Sequence, residues 1–370
     1  MTYKLRDLKY QNKNFSAEEM ITHLKTFTLK PQFSVGIWFF TPGGGRFHDR
    51  YVPEKDIPSR LEDAKQLADF GVTGIEAHYP TEINEDNIDL WIDLKKSGIR
   101  VVGVAFSHFF DKKFEFGALS NPDVQIRKAA IEIASGGLKL VKEIEADFCI
   151  SWPGIDGYTY PLGTFYNWMW DNFENALAEA MDIVPGVRVA MEPKPYEPAP
   201  NNIYRTTAEG ILAAQRIESK LKTEENIKIL KEGHCLMALN PEIGHVRMGF
   251  EPLAAAFSLI GKYGKLAHSH WNSQPLGNYD QDLNVGVVGI EDTLALLYAL
   301  KIMEYKEYFG IDINPERMPV ETAVEININV IKKMIEVVES LPHEEIIEGY
   351  MNPMSNRGKI EKIMLDYLYK

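Results

Sequence analysis

Eight short apolar runs recur along this chain, and longer segments with helical spacing separate them. This alternation is typical of a parallel sheet whose strands are joined by crossover helices. The runs predict eight strands, near Phe33 to Trp38, Val72 to His78, Arg100 to Phe106, Asp147 to Trp152, Val187 to Glu192, Cys235 to Leu239, Lys265 to Trp271 and Tyr308 to Asp312. Eight strand and helix pairs indicate an α/β fold, a closed (β/α)8 TIM barrel, with its active site at the carboxyl ends of the strands.

The segments between the runs predict helices. "SRLEDAKQLADFG" and "NIDLWIDLKKSG", for example, carry apolar residues three and four apart and end at Gly, a residue preferred just after a helix. The 370 residues contain 45% hydrophobic residues, enough for a large core, and no Gly/Ser-rich linker or short repeat divides the sequence. We predict one barrel domain over residues 1–340, followed by a C-terminal extension over 341–370 that packs on the barrel or on a neighbouring subunit.

Acidic and histidine side chains follow the later strands. Each lies just after an apolar run or in the next loop: Glu192, Glu242, His270, Asp280, Asp282 and Asp312. A carboxylate at the end of a buried strand must be paired or bind a cation. Oxygen and imidazole donors without a thiolate suit a hard or borderline dication such as Mg²⁺, Mn²⁺ or Co²⁺. The pattern predicts a metal site, although any one of these acids alone is equally explained as a helix cap or an ion-pair partner.

The composition of the chain limits the classes of partner and the compartment that we expect. The net charge of −13 argues against a nucleic-acid surface, which would carry a basic stripe. Cys149 and Cys235 lie far apart in apolar runs, as expected for buried thiols in a reducing compartment. No run is long enough to span a bilayer, and the N-terminal "MTYKLRDLKY" lacks an apolar signal region. We therefore expect a cytoplasmic protein without a nucleic-acid or membrane partner.

Four motifs occur in an order that resembles a known family: "MEPKPYEP", "NPEIGHVRM", "YDQDLNVG" and "IDINPER". With "VGIWFF" and "SWPGIDGY", they make the stretch from about Phe33 to Arg317 similar to the xylose isomerase family and its sugar-isomerase relatives. Several ordered motifs are far more specific than any single one. The resemblance implies a metal-dependent enzyme that acts on a small sugar.

The resemblance also implies two divalent ions per chain. Carried over position by position, the family pattern assigns the first ion to Glu192, Glu242, His270 and Asp312. It assigns the second to Glu242, His245, Asp280 and Asp282, so that Glu242 bridges the two. Glu242 and His245 face one site if the chain turns helically after Glu242. Asp280 and Asp282 can point the same way from an extended loop.

Strand seven departs from the xylose enzyme, which has an aspartate ligand there. The segment "HSHWN" offers a histidine instead, as rhamnose isomerases and the related ketose 3-epimerases do. Imidazole ligates the same dications, but the site loses a negative charge. We expect His268 and His270 to point to opposite faces of this strand, and the register favours His270 as the inward one.

The family resemblance gives Lys194 and His78 catalytic roles. Lys194 follows Glu192 by two residues and so shares its direction; in the family this lysine donates to the substrate carbonyl oxygen, and the alternative is a salt bridge to Glu197. His78 ends strand two and is the candidate base for opening the sugar ring. The aspartate that partners it in the family is missing, and Glu82 is a candidate for that place.

Four further residues are candidate substrate contacts. His108 follows strand three, where the family also has a histidine that contacts the substrate, and it rivals His78. Trp38 and Trp152 end strands one and four, where the family uses tryptophans as apolar walls, although core filling explains either one equally well. Phe47 resembles the phenylalanine that a neighbouring subunit inserts into the pocket, which implies a homodimer or homotetramer.

These residues predict an aldose–ketose isomerase that moves hydrogen between C1 and C2 of a free sugar. The alternatives are a ketose 3-epimerase of the same superfamily, an abasic-site endonuclease and a non-catalytic sugar-binding protein. The acidic composition and the absence of further histidine ligands disfavour the endonuclease. A binding protein has no need of both metal sites together with Lys194.

Overall fold

Eight parallel strands form the centre of this protein, which a computed structural model describes over residues 3–43 and 49–368. The strands are β1 Gln32–Gly36, β2 Val72–Tyr79, β3 Arg100–Phe106, β4 Phe148–Ser151, β5 Val189–Met191, β6 Met237–Leu239, β7 His270–Trp271 and β8 Tyr308–Ile311. Hydrogen-bonded neighbours run in the order β6-β5-β4-β3-β2-β1-β8-β7. Parallel bridges from Leu239 to Leu266 and from Glu242 to His270 join β6 to β7. The predicted α/β barrel is confirmed.

Helices surround the strands, as the spacing of the apolar residues predicts. In the described residues they are α1 Ala17–Thr26, α2 Ile57–Gln66, α3 Ile88–Leu94, α4 Val124–Ile144, α5 Tyr166–Ile183, α6 Thr207–Lys220, α7 Glu224–Lys231, α8 Ile243–Met248, α9 Leu253–Lys262, α10 Ile290–Ile302, α11 Val320–Ser340, α12 His343–Met351 and α13 Lys359–Leu368. A 3₁₀ turn follows α2 and ends at Gly71. The φ of 97° at this position is accessible to glycine but costly for other residues.

The barrel has two different ends. At the amino ends of the strands, the N-terminal segment closes the barrel: Leu8 is buried among interior residues such as Phe148 and Ala267. The side chain of Gln11 bonds both the backbone oxygen and the backbone nitrogen of Leu266, at 2.6 and 3.0 Å. The carboxyl ends of the strands form the other end, where the acidic residues lie.

The segment after Leu341 packs on the barrel's own outer helices. Glu344 of α12 forms an ion pair with Lys25 of α1. The ring of His343 lies 5.7 Å from that of Tyr298 on α10. The predicted boundary coincides with the end of α11 at Ser340, and the division into two domains stays a prediction. Within the described ranges, no helix has the length and apolar character needed to cross a membrane.

Candidate metal centre and substrate cavity

A cavity of about 300 Å³ opens at the carboxyl ends of the strands. The residues that line it are Trp38, His78, Ala105, Phe109, Phe110, Ile150, Trp152, Glu192, Lys194, Glu242, His245, His270, Asp280, Asp282 and Asp312. All seven predicted metal ligands are among them, together with both predicted catalytic residues and both tryptophans. The structure therefore brings together side chains that are up to 274 positions apart in the sequence, as in the Trp38–Asp312 contact.

The first group of possible metal ligands comes from the ends of β5 to β8. Glu192, Glu242, His270 and Asp312 each offer one atom, and these atoms lie within 4.8 Å of one another. His270 Nδ1 lies 3.1 Å from Glu192 Oε2 and 3.1 Å from Asp312 Oδ2. Three carboxylates and one imidazole suit Mg²⁺, Mn²⁺ or Co²⁺. The group matches the four residues assigned to the first ion.

The second group shares Glu242 with the first and adds His245 and Asp280. Glu242 immediately precedes α8, and His245 lies in the first turn of that helix, so the chain does turn helically after Glu242. His245 Nε2 lies 3.1 Å from Glu242 Oε2 and 3.1 Å from Asp280 Oδ2. The short helix α8 thus orients the side chains of Glu242 and His245 in "NPEIGH" toward one point.

Asp282 lines the same cavity but lies outside the second compact group. Its Oδ1 accepts a hydrogen bond from Asn272 Nδ2 at 2.9 Å. Our expectation of an extended loop is wrong at Asp282, whose φ of 46° is left-handed. Left-handed backbone at a non-glycine residue is strained and occurs preferentially at functional sites.

The carboxylates of both groups repel one another. Burial, together with the charges of Asp280 and Asp282, raises the pKa of Glu242 well above its ordinary value. Burial and the charge of Asp280 likewise raise the pKa of Asp282. The carboxylates of Asp312 and Glu192 add to the repulsion at Glu242. A divalent cation would relieve this repulsion, and so the residues present fit the predicted ions.

Lys194 supplies the cationic side chain of the cavity. Its Nζ donates to Asp280 Oδ2 at 2.7 Å and lies 3.8 Å from Glu197 Oε2. It also lies 5.0 Å from the centre of the Trp152 ring. Burial lowers the pKa of Lys194, but the charges of Asp280 and Glu242 outweigh this effect and raise the pKa above its ordinary value. The ammonium group is therefore held in its charged form beside the second group of ligands.

Glu82 is the acidic partner of His78. His78 Nδ1 lies 2.9 Å from Glu82 Oε2, which also accepts the His78 backbone N–H at 2.9 Å. Arg60 Nη1 donates to the other carboxylate oxygen at 3.0 Å. Burial raises the pKa of Glu82, but His78 and Arg60 outweigh it and lower the pKa below its ordinary value. A glutamate four residues after His78 thus takes the place of the aspartate that the family motif led us to look for.

Aromatic rings form another part of the cavity wall. The Trp38 ring is tilted by 49° against that of His78 with 4.7 Å between ring centres, and its Nε1 donates to Asp312 Oδ1 at 2.9 Å. The edge of Phe109 meets Trp152 at 4.7 Å. Phe109 and Phe110 line the cavity and were not predicted from the sequence. Their place directly after His108 was the available signal.

His108 itself does not line the cavity. Its Nε2 lies 3.0 Å from the backbone oxygen of Ala130 in α4, and the ring is buried against Phe114. Burial lowers the pKa of His108 to about 4, so the ring is neutral at physiological pH. The placement contradicts the expected substrate contact, because the chain turns after β3 and presents Phe109 and Phe110 instead. Phe47 lies outside the described residues.

His268 and His270 point to the same side of their strand, so our expectation of opposite faces was wrong. Residues two apart in a strand share a face. Both rings reach Glu76 of β2 in the barrel interior, His268 Nε2 to Oε1 and His270 Nε2 to Oε2, each at 2.9 Å. Glu76 was missed because it lies inside the apolar run "VTGIEAHY".

Two asparagine amides donate hydrogen bonds to carboxylates of the two candidate groups and were also missed. Asn240 Nδ2 donates to Glu192 Oε2 at 2.7 Å, and Asn272 Nδ2 donates to Glu242 Oε1 at 2.8 Å. Asn272 Oδ1 accepts the backbone N–H of Gly244 at 2.8 Å, which anchors the start of α8. Each asparagine lies two residues from a ligand in "NPE" and "HWN", and that spacing was the signal.

Comparison with known proteins agrees with this geometry. Residues 64–334 match the family described as xylose isomerase-like TIM barrel. The xylose isomerase of Thermus thermophilus is 30% identical over 296 residues, which cover 76% of this chain and 72% of the relative. The xylose isomerase of Thermus caldophilus is 28% identical over 294 residues, 75% of this chain and 71% of the relative.

Solved structures of similar fold are more distant in sequence. A D-tagatose 3-epimerase-like protein superposes with a TM-score of 0.60 at 16% identity, over 83% of this chain and 98% of the other. An L-ribulose 3-epimerase gives a TM-score of 0.58 at 15% identity, over 84% and 96%. At this level of identity the likeness extends to the fold alone.

Proposed function

Because this chain belongs to the xylose isomerase-like TIM barrel family, we propose that it is a two-metal aldose–ketose isomerase. Its substrate would be a free sugar, and the reaction would move one hydrogen between C1 and C2. The relatives that match three quarters of the chain are named xylose isomerases, which supports this reaction.

The observation that carries the proposal is the shared position of Glu242. It belongs to the group with Glu192, His270 and Asp312 and also to the group with His245 and Asp280. A carboxylate that belongs to both groups could be a ligand of both ions. A site for a single ion has no need of the second group.

The chain's residues would hold two divalent ions at these groups, with Asp282 beside the second. When bound, such ions supply Lewis-acid polarisation of sugar oxygens and a template for the substrate. The remaining steps fall to side chains of this chain. Lys194, whose ammonium group is buried in the cavity, would donate a hydrogen bond to the carbonyl oxygen of the open-chain sugar as negative charge develops there.

His78 would assist ring opening. The Glu82 carboxylate would accept the N–H at Nδ1 of His78. This contact would fix the ring so that Nε2 is free to exchange a proton with the sugar. Trp38, Trp152 and Phe109 would exclude water from the reacting carbons. The aromatic wall also offers flat apolar surfaces for the carbon face of a sugar ring.

A ketose 3-epimerase is the second candidate, because His270 replaces the strand-seven aspartate of the xylose enzyme. An epimerase needs two carboxylates on opposite faces of the carbon whose proton is exchanged. Here Glu192 and Asp312 both belong to the first ligand group, which either reaction allows, but an epimerase that uses a single ion gives the second group no task. The second group, with Lys194 attached to it, therefore favours the isomerase.

A substrate screen with metal content measured in parallel tests the proposal. Free aldoses and ketoses are incubated with Mg²⁺-, Mn²⁺- or Co²⁺-loaded protein, and products are separated by chromatography. We expect an aldose and its ketose to interconvert, with two ions bound per chain and no activity after chelation. Products that differ only at C3, with one ion bound, would favour the epimerase. Full turnover by metal-free protein would contradict both.

We also propose that the working unit is a homodimer or homotetramer, since closed symmetry is the common state of soluble homo-oligomers. Apolar side chains of the C-terminal extension support this proposal. Tyr350 and Met354 are 81% and 76% exposed in the single chain. Light scattering after size exclusion would give the mass in solution.

A further inference from the structure

A carboxylate lies buried inside the barrel directly beneath the first ligand group. Glu76 of β2 is 1% exposed and has three partners. Ser34 Oγ donates to Oε1 at 2.7 Å, and His268 Nε2 lies 2.9 Å from the same oxygen. His270 Nε2 lies 2.9 Å from Oε2. Each carboxylate oxygen is therefore directed at an imidazole nitrogen.

The two nitrogens of His270 face different surroundings. Nε2 points into the barrel toward Glu76, whereas Nδ1 points to the ligand group, 3.1 Å from both Glu192 Oε2 and Asp312 Oδ2. Asn240 Nδ2, which donates to Glu192, lies 3.2 Å from the same Nδ1. A carboxylate at Nε2 accepts its N–H, and the neutral ring then presents a lone pair at Nδ1. That lone pair is what a metal ion requires.

The barrel interior leaves room for Glu76 and both imidazoles. Interiors of such barrels are usually filled by bulky branched side chains. Here β8 has Gly310 at this level, and a Cβ on it would lie 2.5 Å from His268 Nε2 and 2.9 Å from Glu76 Oε1. In β3, a Cβ on Gly103 would lie 2.9 Å from Phe148 Cε2 and only in ordinary contact, 3.4 Å, with Glu76 Cγ. It is therefore β8 that omits a side chain where the polar group needs the volume.

We propose that Glu76 is a positioning residue that fixes His270 as the Nε2–H tautomer and so directs Nδ1 to the first metal ion, with His268 and Ser34 holding the carboxylate in place. This inference rests on the metal-dependent function proposed above. Carboxylates that accept the second N–H of a ligating histidine orient the ring and raise its basicity, and their loss weakens metal binding. The same three side chains, Glu76, His268 and His270, also form a compact set of possible ligands. Glu76 is the one carboxylate of that set, and each of its oxygens faces an imidazole nitrogen at 2.9 Å, so no repulsion between carboxylates requires an ion there.

The tautomer is measured on the intact wild-type protein. Long-range ¹H–¹⁵N correlation spectra of ¹⁵N-histidine-labelled, Mg²⁺-loaded protein distinguish the two nitrogens, and the His270→Asn variant identifies the His270 signals. We expect His270 to be a neutral Nε2–H imidazole in the Mg²⁺ form. A proton on Nδ1 in that form would overturn the proposal, and this readout does not depend on whether a Glu76 variant folds.

Metal affinity gives the second test, with Glu76→Gln compared with Glu174→Gln. Glu174 is equally buried, at 1% exposure, but binds Arg216 on the outer helices, away from the cavity. In Mn²⁺ titrations followed by calorimetry, Glu76→Gln should weaken the first site by about 10- to 100-fold. Glu174→Gln should lower the melting temperature and leave Mn²⁺ affinity unchanged.

The outcomes separate this inference from the proposed function. Equal Mn²⁺ affinity in wild type and Glu76→Gln would overturn the role of Glu76 while the isomerase proposal stands. If Glu76→Gln binds Mn²⁺ more weakly and the wild-type protein converts no sugar, the role of Glu76 is supported and the isomerase proposal is wrong. A third Mn²⁺ ion that Glu76→Gln alone loses would show that Glu76 is a ligand itself, which also overturns the proposal.

Discussion

The two halves of the cavity differ in how their side chains are stabilised. Strands β5 to β8 supply carboxylates and imidazoles, whereas β1 to β4 supply Trp38, His78, Phe109 and Trp152. The aromatic half is stabilised by ordinary packing, such as the edge contact of Phe109 with Trp152. The acidic half is not, because burial and neighbouring charges raise the pKa of Glu242 well above its usual value. A bound cation would therefore stabilise the acidic half, whereas the aromatic half gains nothing from one.

This difference separates the consequences of mutation. Changes in the acidic half should alter metal binding and the chemical step together. Changes in the aromatic half should alter substrate binding while metal affinity stays as it is. Lys194 and His78 fit neither description, since each is charged or polar yet lies outside both ligand groups. The following variants test the division, from the largest expected effect to the smallest.

Glu242→Gln should have the largest effect. It removes the one carboxylate shared by both groups, so we expect kcat to fall by on the order of 10³-fold or more, since metal ions stabilise transition-state charge by several kcal/mol. In metal-free protein the same change relieves repulsion and should raise the free energy of unfolding by about 1 kcal/mol, a trade of stability for function. Enzyme assays and chemical denaturation with chelator measure the two effects.

Asp282→Asn is the comparison for this variant. Because Asp282 lies outside the first group, it should chiefly weaken the second ion. Near-normal activity of Glu242→Gln would make the ligand assignment wrong.

Lys194→Met should lower kcat by about 100- to 1,000-fold, as expected for the loss of one donor to a developing oxyanion. Its Nζ is bonded to Asp280, and removal of that cation leaves the carboxylate free for metal. Mn²⁺ affinity should therefore be retained or increased. Steady-state kinetics and calorimetry give both values, and a loss of metal binding equal to the loss of kcat would contradict the assigned role.

Glu82→Gln should reduce kcat/KM by about 10- to 100-fold, in the range of general acid–base contributions. The amide keeps the shape of the side chain but can no longer hold the His78 ring through a charged acceptor at Nδ1. The effect should be confined to ring opening. Open-chain substrate analogues that lack a ring should be turned over at the wild-type rate, and an equal loss with such analogues would contradict this role of His78.

Phe109→Ala should give the smallest effect. Removing part of the apolar wall should raise KM about 10-fold, since a hydrophobic contact with substrate is worth about 1–3 kcal/mol. Phe116→Ala is the matched control, because Phe116 follows in the same loop region, is 77% exposed and does not line the cavity. Mn²⁺ affinity should be unchanged in both variants. A weakened metal site in Phe109→Ala would show that the two halves are not separable.

The sequence was sufficient for the barrel and for most of the acidic half. Strand ends of a parallel barrel meet at one face, so acids such as Glu192 and Asp312 could be assigned to one place from their positions alone. The helical step from Glu242 to His245 was likewise readable and is present in α8. These features depend on local periodicity, which a sequence contains.

The remaining features depend on packing between distant segments. His108 follows β3 just as the predicted substrate contact would, yet a loop turn directs it to Ala130. Glu76 is hidden within an apolar strand, and its partners His268 and His270 come from the other side of the barrel, 192 and 194 residues away. The space that accommodates them is a property of Gly310 on a third strand. No local pattern joins these positions.

In the proposed reaction, hydrogen moves between C1 and C2 of the sugar at a two-metal site. The most direct measurement uses the preferred aldose labelled with deuterium at C2, incubated with Mg²⁺-loaded protein and followed by NMR. We expect a ketose that carries the deuterium at C1, with little label in water. Deuterium lost to water during turnover, or an aldose left untouched while the matching ketose is inverted at C3, would contradict it.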